Sequence, residues 1–205
     1  MKSINSTLSC LLVDTPSTSS NVISNTLRSK DFGKIFLEED VYRSSSIVEY
    51  HDIDLIIFNI GIKKKNVLDF HEKLKEINYK GKILYMSDHE SELYMELAYR
   101  SGADGYFCRH QCCLILNEIL DSVLNGYSYF KIRKGISPER QKNKHPKLSS
   151  QELKVLSYLL DGISNNEIAK ILSISPKTIS TYKTRILNKY DVNTIFDVMK
   201  FHNKS

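Results

Sequence analysis

Short apolar runs alternate with helical patterns along the first 125 residues of the chain. Each run is apolar almost throughout, which is typical of strands that are buried on both faces of a sheet. The predicted strands are residues 8–14, 34–38, 54–59, 82–87 and 105–108. The predicted helices between and after them are residues 19–30, 41–50, 67–77, 92–102 and 114–126. Because parallel strands need such crossover helices, this order predicts a doubly wound α/β domain with a five-stranded parallel sheet.

Polar residues stand where several of these predicted strands end. Asp14, Asn59 and Ser87 close the first, third and fourth strands, and Arg109 directly follows the fifth. In open parallel sheets, sites form at the carboxyl ends of the strands. We therefore expect these four residues to lie at the functional edge of the sheet.

The pattern from residue 148 onward is helical throughout. Ser149 with Glu152, and Ser164 with Glu167, have the S-x-x-E spacing of capping boxes. A third helix is predicted to begin with Ser175 as its N-cap and a proline at its first position. The four predicted helices are residues 148–162, 164–172, 175–191 and 193–202. The C-terminal part is therefore predicted to be an all-α domain of four helices.

The third of these helices has two chemically different faces. Ile179, Ile186 and Tyr190 fall on the side that can pack against the preceding helices. The other side carries Lys177, Ser180, Thr181, Thr184 and Asn188, and it is flanked by Lys183, Arg185 and Lys189. Short hydrogen-bonding side chains allow a helix to approach base edges in the major groove, and flanking cations meet the phosphates. After two capped helices and a short turn, such a helix predicts a helix-turn-helix DNA-binding domain.

Charge divides the chain at about the same place. Residues 1–130 contain 14 Lys and Arg against 18 Asp and Glu, a net charge of −4, whereas residues 131–205 contain 15 against 6, a net charge of +9. A basic part joined to a mildly acidic one favours double-stranded DNA as a partner. Residues 128–147 lack periodicity and are predicted to link a domain at 1–127 to one at 148–205. The linker is either a solvated connector or a further source of attraction to phosphates. Its cations are Lys131, Arg133, Lys134, Arg140, Lys142, Lys144 and Lys147.

Residues 148–201 resemble the DNA-binding domain of LuxR/NarL-type regulators. The matching pattern is LSSQE, then GISNNEIA, then LSISPKTISTYKTRILNK. The resemblance implies a four-helix module that reads DNA with its third helix and often dimerises through its fourth. It places Ser180, Thr181 and Thr184 at base-reading positions. It places Lys177, Thr178, Tyr182, Lys183, Arg185 and Lys189 at or near positions that contact the DNA backbone. The alternatives are that Thr178 supports the helix start, that Tyr182 packs in the domain, and that Lys183 is an ordinary exposed lysine.

Residues 1–127 resemble a response-regulator receiver domain in length, strand order and the segment GADGYFC at 102–108. The resemblance implies a site with three acids that bind Mg²⁺, one of which accepts the phosphoryl group, and with a hydroxyl residue and a lysine beside that group. Asp14 matches the first acid and Ser87 matches the hydroxyl residue. Thr15, Asn59 and Arg109 replace the second acid, the phosphoacceptor and the lysine. The whole chain resembles regulators of the BvgA, EvgA and FimZ kind.

These replacements predict a degenerate receiver. A carboxylate can attack phosphorus, whereas the neutral amide of Asn59 cannot. The amide also lacks the negative charge of the hard oxygen ligands that Mg²⁺ prefers. We therefore expect that this domain does not work by aspartyl phosphorylation. Asn59 can imitate a neutralised aspartate, and Arg109 can donate to it or to an anion.

Other function classes find no support in the sequence. It has no apolar run of about 18 residues, no nucleotide-binding or metalloprotease motif, and no zinc-ligand spacing around its four cysteines. We expect a cytoplasmic protein that is not an enzyme and uses no cofactor or metal. The resemblance implies a homodimer through a surface that includes Tyr94, Tyr99 and Tyr106, unless these tyrosines only cover the sheet.

Two functions stay open at this point. One is a sequence-specific DNA-binding transcription regulator that is independent of phosphorylation. The other is an interaction subunit that forms a heterodimer with another response regulator and modulates its DNA binding. The two differ in whether the purified protein selects DNA unaided.

Overall fold

The computed structural model describes residues 7–60, 67–88, 90–130 and 146–203, which form two compact units. The first unit contains a parallel sheet with the strand order β2-β1-β3-β4-β5-β6. Its strands are β1 (Leu8–Val13), β2 (Phe32–Glu38), β3 (Leu55–Asn59), β4 (Lys82–Ser87), β5 (Gly105–Cys108) and β6 (Tyr129–Phe130). Its α-helices are α1 (Thr18–Arg28), α2 (Val41–Tyr50), α3 (Val67–Glu76), α4 (Glu92–Ser101) and α5 (Cys112–Leu124).

Helices cover both faces of this sheet, as the apolar strands require. Side chains alternate between faces along a strand. On one face, the strands supply a core that includes Cys10, Leu12, Ile57 and Met86, and helices α1 and α5 complete it. On the other face, the Phe58 ring lies 4.9 Å from the Phe70 ring of α3, measured between centroids. The predicted doubly wound α/β architecture is therefore present.

The described part of the sheet has six strands rather than the predicted five. Residues 129–130, which were expected to belong to the linker, extend the sheet by pairing with Gly105 and Tyr106 of β5. Their close approach depends on the glycine, because a Cβ atom at Gly105 would lie 2.7 Å from the Tyr129 carbonyl oxygen. Residues 131–145 lie outside the described residues. The expected basic linker, apart from its first three and last two residues, therefore lies there as well.

The second unit contains four helices between residues 146 and 203. They are α6 (Ser150–Leu160), α7 (Asn165–Ile171), α8 (Pro176–Tyr190) and α9 (Ile195–Asn203). Both predicted capping boxes are confirmed: Ser149 precedes α6 and pairs with Glu152 in its first turn, and Ser164 and Glu167 do the same for α7. The Ser175 side chain accepts from the Thr178 backbone N–H and caps α8. Across the described ranges, no helix is long and apolar enough to cross a bilayer.

Candidate functional site

The faces of α8 are those that its sequence predicts. Ile179, Ile186 and Tyr190 are buried in the helical unit. The residues expected to face DNA are exposed, namely Lys177, Ser180, Thr181, Thr184, Arg185 and Asn188. Tyr182 and Lys183 are half-buried. The helix has no acidic residue from Pro176 to Tyr190. Its outer side is therefore a band of hydroxyl and amide groups bordered by cations.

Thr178 lies at the beginning of α8 and takes part in its cap. Its backbone N–H donates to the Ser175 hydroxyl at 3.1 Å, and the two side-chain hydroxyls are 2.8 Å apart. These bonds satisfy groups that the first turn of a helix leaves without intrahelical partners. Thr178 therefore supports the start of the helix, and the DNA-backbone contact also expected of it stays a prediction.

Lys189 is tied to the helical unit itself. Its ammonium donates to Glu152 Oε2 at 2.6 Å and to the Lys147 carbonyl at 3.0 Å. Burial acts to raise the pKa of Glu152, but the bonds from Lys189 and Ser149 outweigh it and lower that pKa below its ordinary value. The phosphate contact expected of Lys189 stays a prediction, and it would have to compete with this ion pair. Sequence reasoning missed the pair because its residues lie 37 positions apart.

The carboxyl ends of the strands bring three of the predicted pocket residues into one network. Asn59 donates through Nδ2 to Asp14 Oδ1 at 2.9 Å. Arg109 donates to both oxygens of the same carboxylate, at 2.8 and 2.7 Å. Asp14 is fully buried, and Asn59 is nearly so. This is a two-pronged arginine–carboxylate pair, the geometry that gives such pairs their strength and orientation.

Two further residues hold the Arg109 guanidinium. Its Nε donates to Asp88 at 2.6 Å, and Nη1 donates to the Ser17 hydroxyl at 3.2 Å. Burial acts to lower the pKa of Arg109, yet the bonds and charges of Asp14 and Asp88 raise it overall. Asp88 and Ser17 were absent from the predicted site. Asp88 could have been noticed, because it directly follows Ser87 at the end of β4.

Ser87 and Thr15 are the other two predicted pocket residues. The Ser87 hydroxyl is 2.5 Å from the Tyr106 hydroxyl, and both residues are buried. Thr15 is exposed next to Asp14. Tyr106 is therefore part of the buried interior of the sheet unit. Tyr99, by contrast, is 70% exposed, and Phe130 packs against its ring at 5.5 Å between centroids.

The contacts of the buried carboxylate bear on cation and phosphoryl chemistry. Its one central carboxylate already balances a guanidinium and accepts from Asn59. Within the described residues, no group of three or more histidine, cysteine, aspartate or glutamate side chains could hold a metal ion. The amide at the third-strand end offers no nucleophilic oxygen anion. What the arrangement does supply is a satisfied, internally neutralised buried charge.

Comparison with known proteins matches both units to described families. Residues 10–111 match the model of the response regulator receiver domain, and residues 146–201 match that of the bacterial regulatory proteins of the luxR family. The DNA-binding transcriptional activator EvgA of Escherichia coli K12 is 31% identical over 151 residues, which span 72% of this chain and 74% of that protein. The Fimbriae Z protein of Salmonella typhimurium is 29% identical over 167 residues, spanning 77% of this chain and 79% of that one.

A solved structure extends the likeness to the whole fold. RcsB from Salmonella enterica serovar Typhimurium, bound to promoter rprA in the presence of the phosphomimetic BeF3−, superposes with a TM-score of 0.75. The match covers 97% of this chain and 99% of that chain, with 17% sequence identity. At that identity the likeness is one of fold. The predicted order of a receiver-like α/β domain followed by a helix-turn-helix domain is thereby confirmed.

Proposed function

This chain belongs to the response regulators with a LuxR-type DNA-binding domain, and from that premise we propose that it is a sequence-specific transcription regulator that works without aspartyl phosphorylation. The observation that carries the second half of the proposal is the Arg109–Asp14–Asn59 network. The first half is supported by the exposed outer side of α8. No enzymatic activity, cofactor or metal is part of the proposal.

The chemistry of α8 suits a duplex groove. Ser180, Thr181 and Thr184 are short enough to let the helix approach the base edges. Lys177 and Arg185 are exposed beside them and can neutralise phosphates on the groove walls. We assign base reading to the hydroxyl residues, and backbone contact to these cations together with Lys183 and Tyr182.

Independence of phosphorylation follows from how the pocket balances its charge. A phosphorylated receiver needs a carboxylate nucleophile and free carboxylate oxygens for Mg²⁺. Here Asn59 supplies neither, and both oxygens of Asp14 accept from Arg109. A metal ion would have to displace a two-pronged guanidinium from a fully buried carboxylate. We infer that the domain is held in one charge state.

We further propose that the regulator acts as a homodimer on DNA, in the cytoplasm and in association with the nucleoid. Exposed apolar side chains offer a surface for a second chain, since Leu114 is 85% exposed and Tyr99 and Tyr127 are also exposed. Tyr106 is buried, so it can support the residues of such a surface but does not itself form part of the exposed area. The same surface suits another response regulator, which is the alternative of a heterodimeric interaction subunit.

A binding selection tests the proposal. Untreated full-length protein is mixed with random-sequence duplex at near-physiological salt, and the retained DNA is sequenced. We expect enrichment of paired half-sites, with no change after incubation with acetyl phosphate and Mg²⁺. Enrichment that appears only after acetyl phosphate would refute independence of phosphorylation. Enrichment that appears only with a second regulator would support the heterodimer instead.

A further inference from the structure

The hydroxyl groups on the outer side of α8 are oriented by the helix backbone. Ser180 Oγ donates to the Pro176 carbonyl at 3.0 Å. Thr181 Oγ1 donates to the Lys177 carbonyl, also at 3.0 Å. A serine or threonine hydroxyl has one hydrogen to donate and two lone pairs that accept. In both residues, therefore, the hydrogen is directed back into the helix and lone pairs point away from it.

A neighbouring helix fixes one of these hydroxyls further. Asn165, the first residue of α7, donates through Nδ2 to Ser180 Oγ at 3.2 Å. This bond occupies one of the two lone pairs of the Ser180 oxygen and leaves the other to accept from a base. Asn165 was not among the predicted site residues. It is a positioning residue that acts on DNA reading through Ser180.

Base edges in the major groove differ in what they offer to an acceptor. Guanine presents N7 and O6, and thymine presents O4, all of which accept hydrogen bonds. Adenine N6 and cytosine N4 are amino groups that donate. An oxygen whose own hydrogen is already engaged can pair only with a donor. Ser180 and Thr181 therefore match adenine or cytosine and do not match the acceptor edges of guanine and thymine.

We propose that Ser180 and Thr181 each accept a hydrogen bond from a base amino group, adenine N6 or cytosine N4, at two positions of the DNA site, with Asn165 holding Ser180 in its acceptor state. The inference rests on the proposed DNA-binding function and adds the chemical group that these residues recognise. Thr184 differs in the described structure, where its hydroxyl makes no hydrogen bond within the protein. It can donate or accept, so it carries no such restriction.

The test combines a binding selection with removal of single base groups. Full-length wild type and the variants S180A, T181A and T184A are each selected against random duplex. Wild type should show a base-pair preference at two positions, of which S180A loses one and T181A the other. At a mapped adenine, replacement by purine, which lacks the N6 amino group, should weaken wild-type binding about fivefold, the value of one hydrogen bond. The same replacement should leave the matching alanine variant unchanged.

The outcomes separate this inference from the function on which it rests. Every base pair holds one amino group, so the contacted atom decides the question rather than the base. If replacing guanine by 7-deazaguanine, which lacks the N7 acceptor, at a position that S180A or T181A relaxes weakens wild-type binding but not that of the alanine variant, the acceptor assignment is overturned, while DNA reading by α8 stands. An equal effect of the purine replacement on wild type and on the alanine variant would overturn it too. If neither the wild type nor any variant enriches a sequence, sequence-specific binding itself is refuted. N165A should reduce the preference opposite Ser180 and leave that opposite Thr181 intact, which a general loss of folding would not do.

Discussion

Replacement of Arg109 by alanine is the sharpest perturbation of the receiver pocket. It leaves the buried Asp14 carboxylate with the Asn59 amide but without its balancing charge. The structure sets the magnitude through two charge-assisted bonds at 2.7 and 2.8 Å. At about 1.5–3 kcal/mol each, they sum to about 3–6 kcal/mol. Breaking a buried ion pair by removing one partner typically costs about 3–5 kcal/mol. We therefore expect R109A to lower the free energy of unfolding by about 3–5 kcal/mol.

The second carboxylate that pairs with Arg109 provides a matched control. Asp88 also pairs with Arg109, at 2.6 Å, but its side chain is 53% exposed. Exposed pairs contribute about 0–1 kcal/mol, so D88A should cost no more than that. Adding D14N to R109A removes the unbalanced charge, and it should restore part of the loss. The double variant thus reports the coupling between the two charges.

Urea unfolding of the full-length protein measures these differences, and amide hydrogen exchange localises them. The exchange of β1 and β3 backbone amides should rise in R109A, while that of α6 to α8 should stay as in the wild type. Equal losses in R109A and D88A would refute the reasoning. So would a loss below about 1 kcal/mol in R109A, because the guanidinium would then not be what balances Asp14.

Three further predictions concern other elements. The lowered pKa of Glu152 means that its ion pair with Lys189 stabilises the helical unit above about pH 4, and this stability is lost as the pH falls through the lowered pKa. When unfolding midpoints are measured from pH 6 to pH 2, K189A should therefore show a smaller decrease at acid pH than the wild type. An equal decrease in both proteins would contradict the pairing. K183A should reduce the slope of log Kd against log salt by about one unit, whereas K34A, in the sheet unit, should leave it unchanged. G105A should lower stability by about 1–3 kcal/mol in thermal unfolding, because its Cβ meets the Tyr129 carbonyl; full stability would mean that β6 can separate from β5 without loss.

Local patterns predicted the elements of this fold well because their causes are local. The capping boxes of α6 and α7 each join residues three positions apart, so spacing alone reveals them. The strands β1, β3, β4 and β5 are buried apolar runs, whereas β2 at the sheet edge is largely exposed or half-buried. All five were predicted at nearly their observed bounds. Strand β6 has only two residues, which is too short for any periodicity. It exists because Gly105 admits a neighbouring backbone, a fact of three-dimensional packing.

The central residues of the candidate sites were predictable, but their bonding and several of their partners were not. Strand ends placed Asp14, Asn59 and Arg109 at one edge of the sheet, since parallel strands share that edge. The choice of partner for Arg109 spans 95 positions of the chain and depends on side-chain reach and burial. Likewise, helical periodicity placed Lys189 near the DNA-facing side of α8. It carried no information on Glu152, which lies in another helix.

A positive charge that belongs to the chain differs from a bound ion in one respect, which is that its supply never varies. Arg109 and Asp14 belong to the same chain, so every copy of the protein holds both in a one-to-one ratio. If the proposed function holds, the charge state of the pocket is insensitive to cellular magnesium and to the availability of a phosphoryl donor. Under the proposed function, promoter occupancy follows how many copies the cell makes and degrades. Control of this regulator would lie in its own expression and turnover, and its response time would be that of protein accumulation.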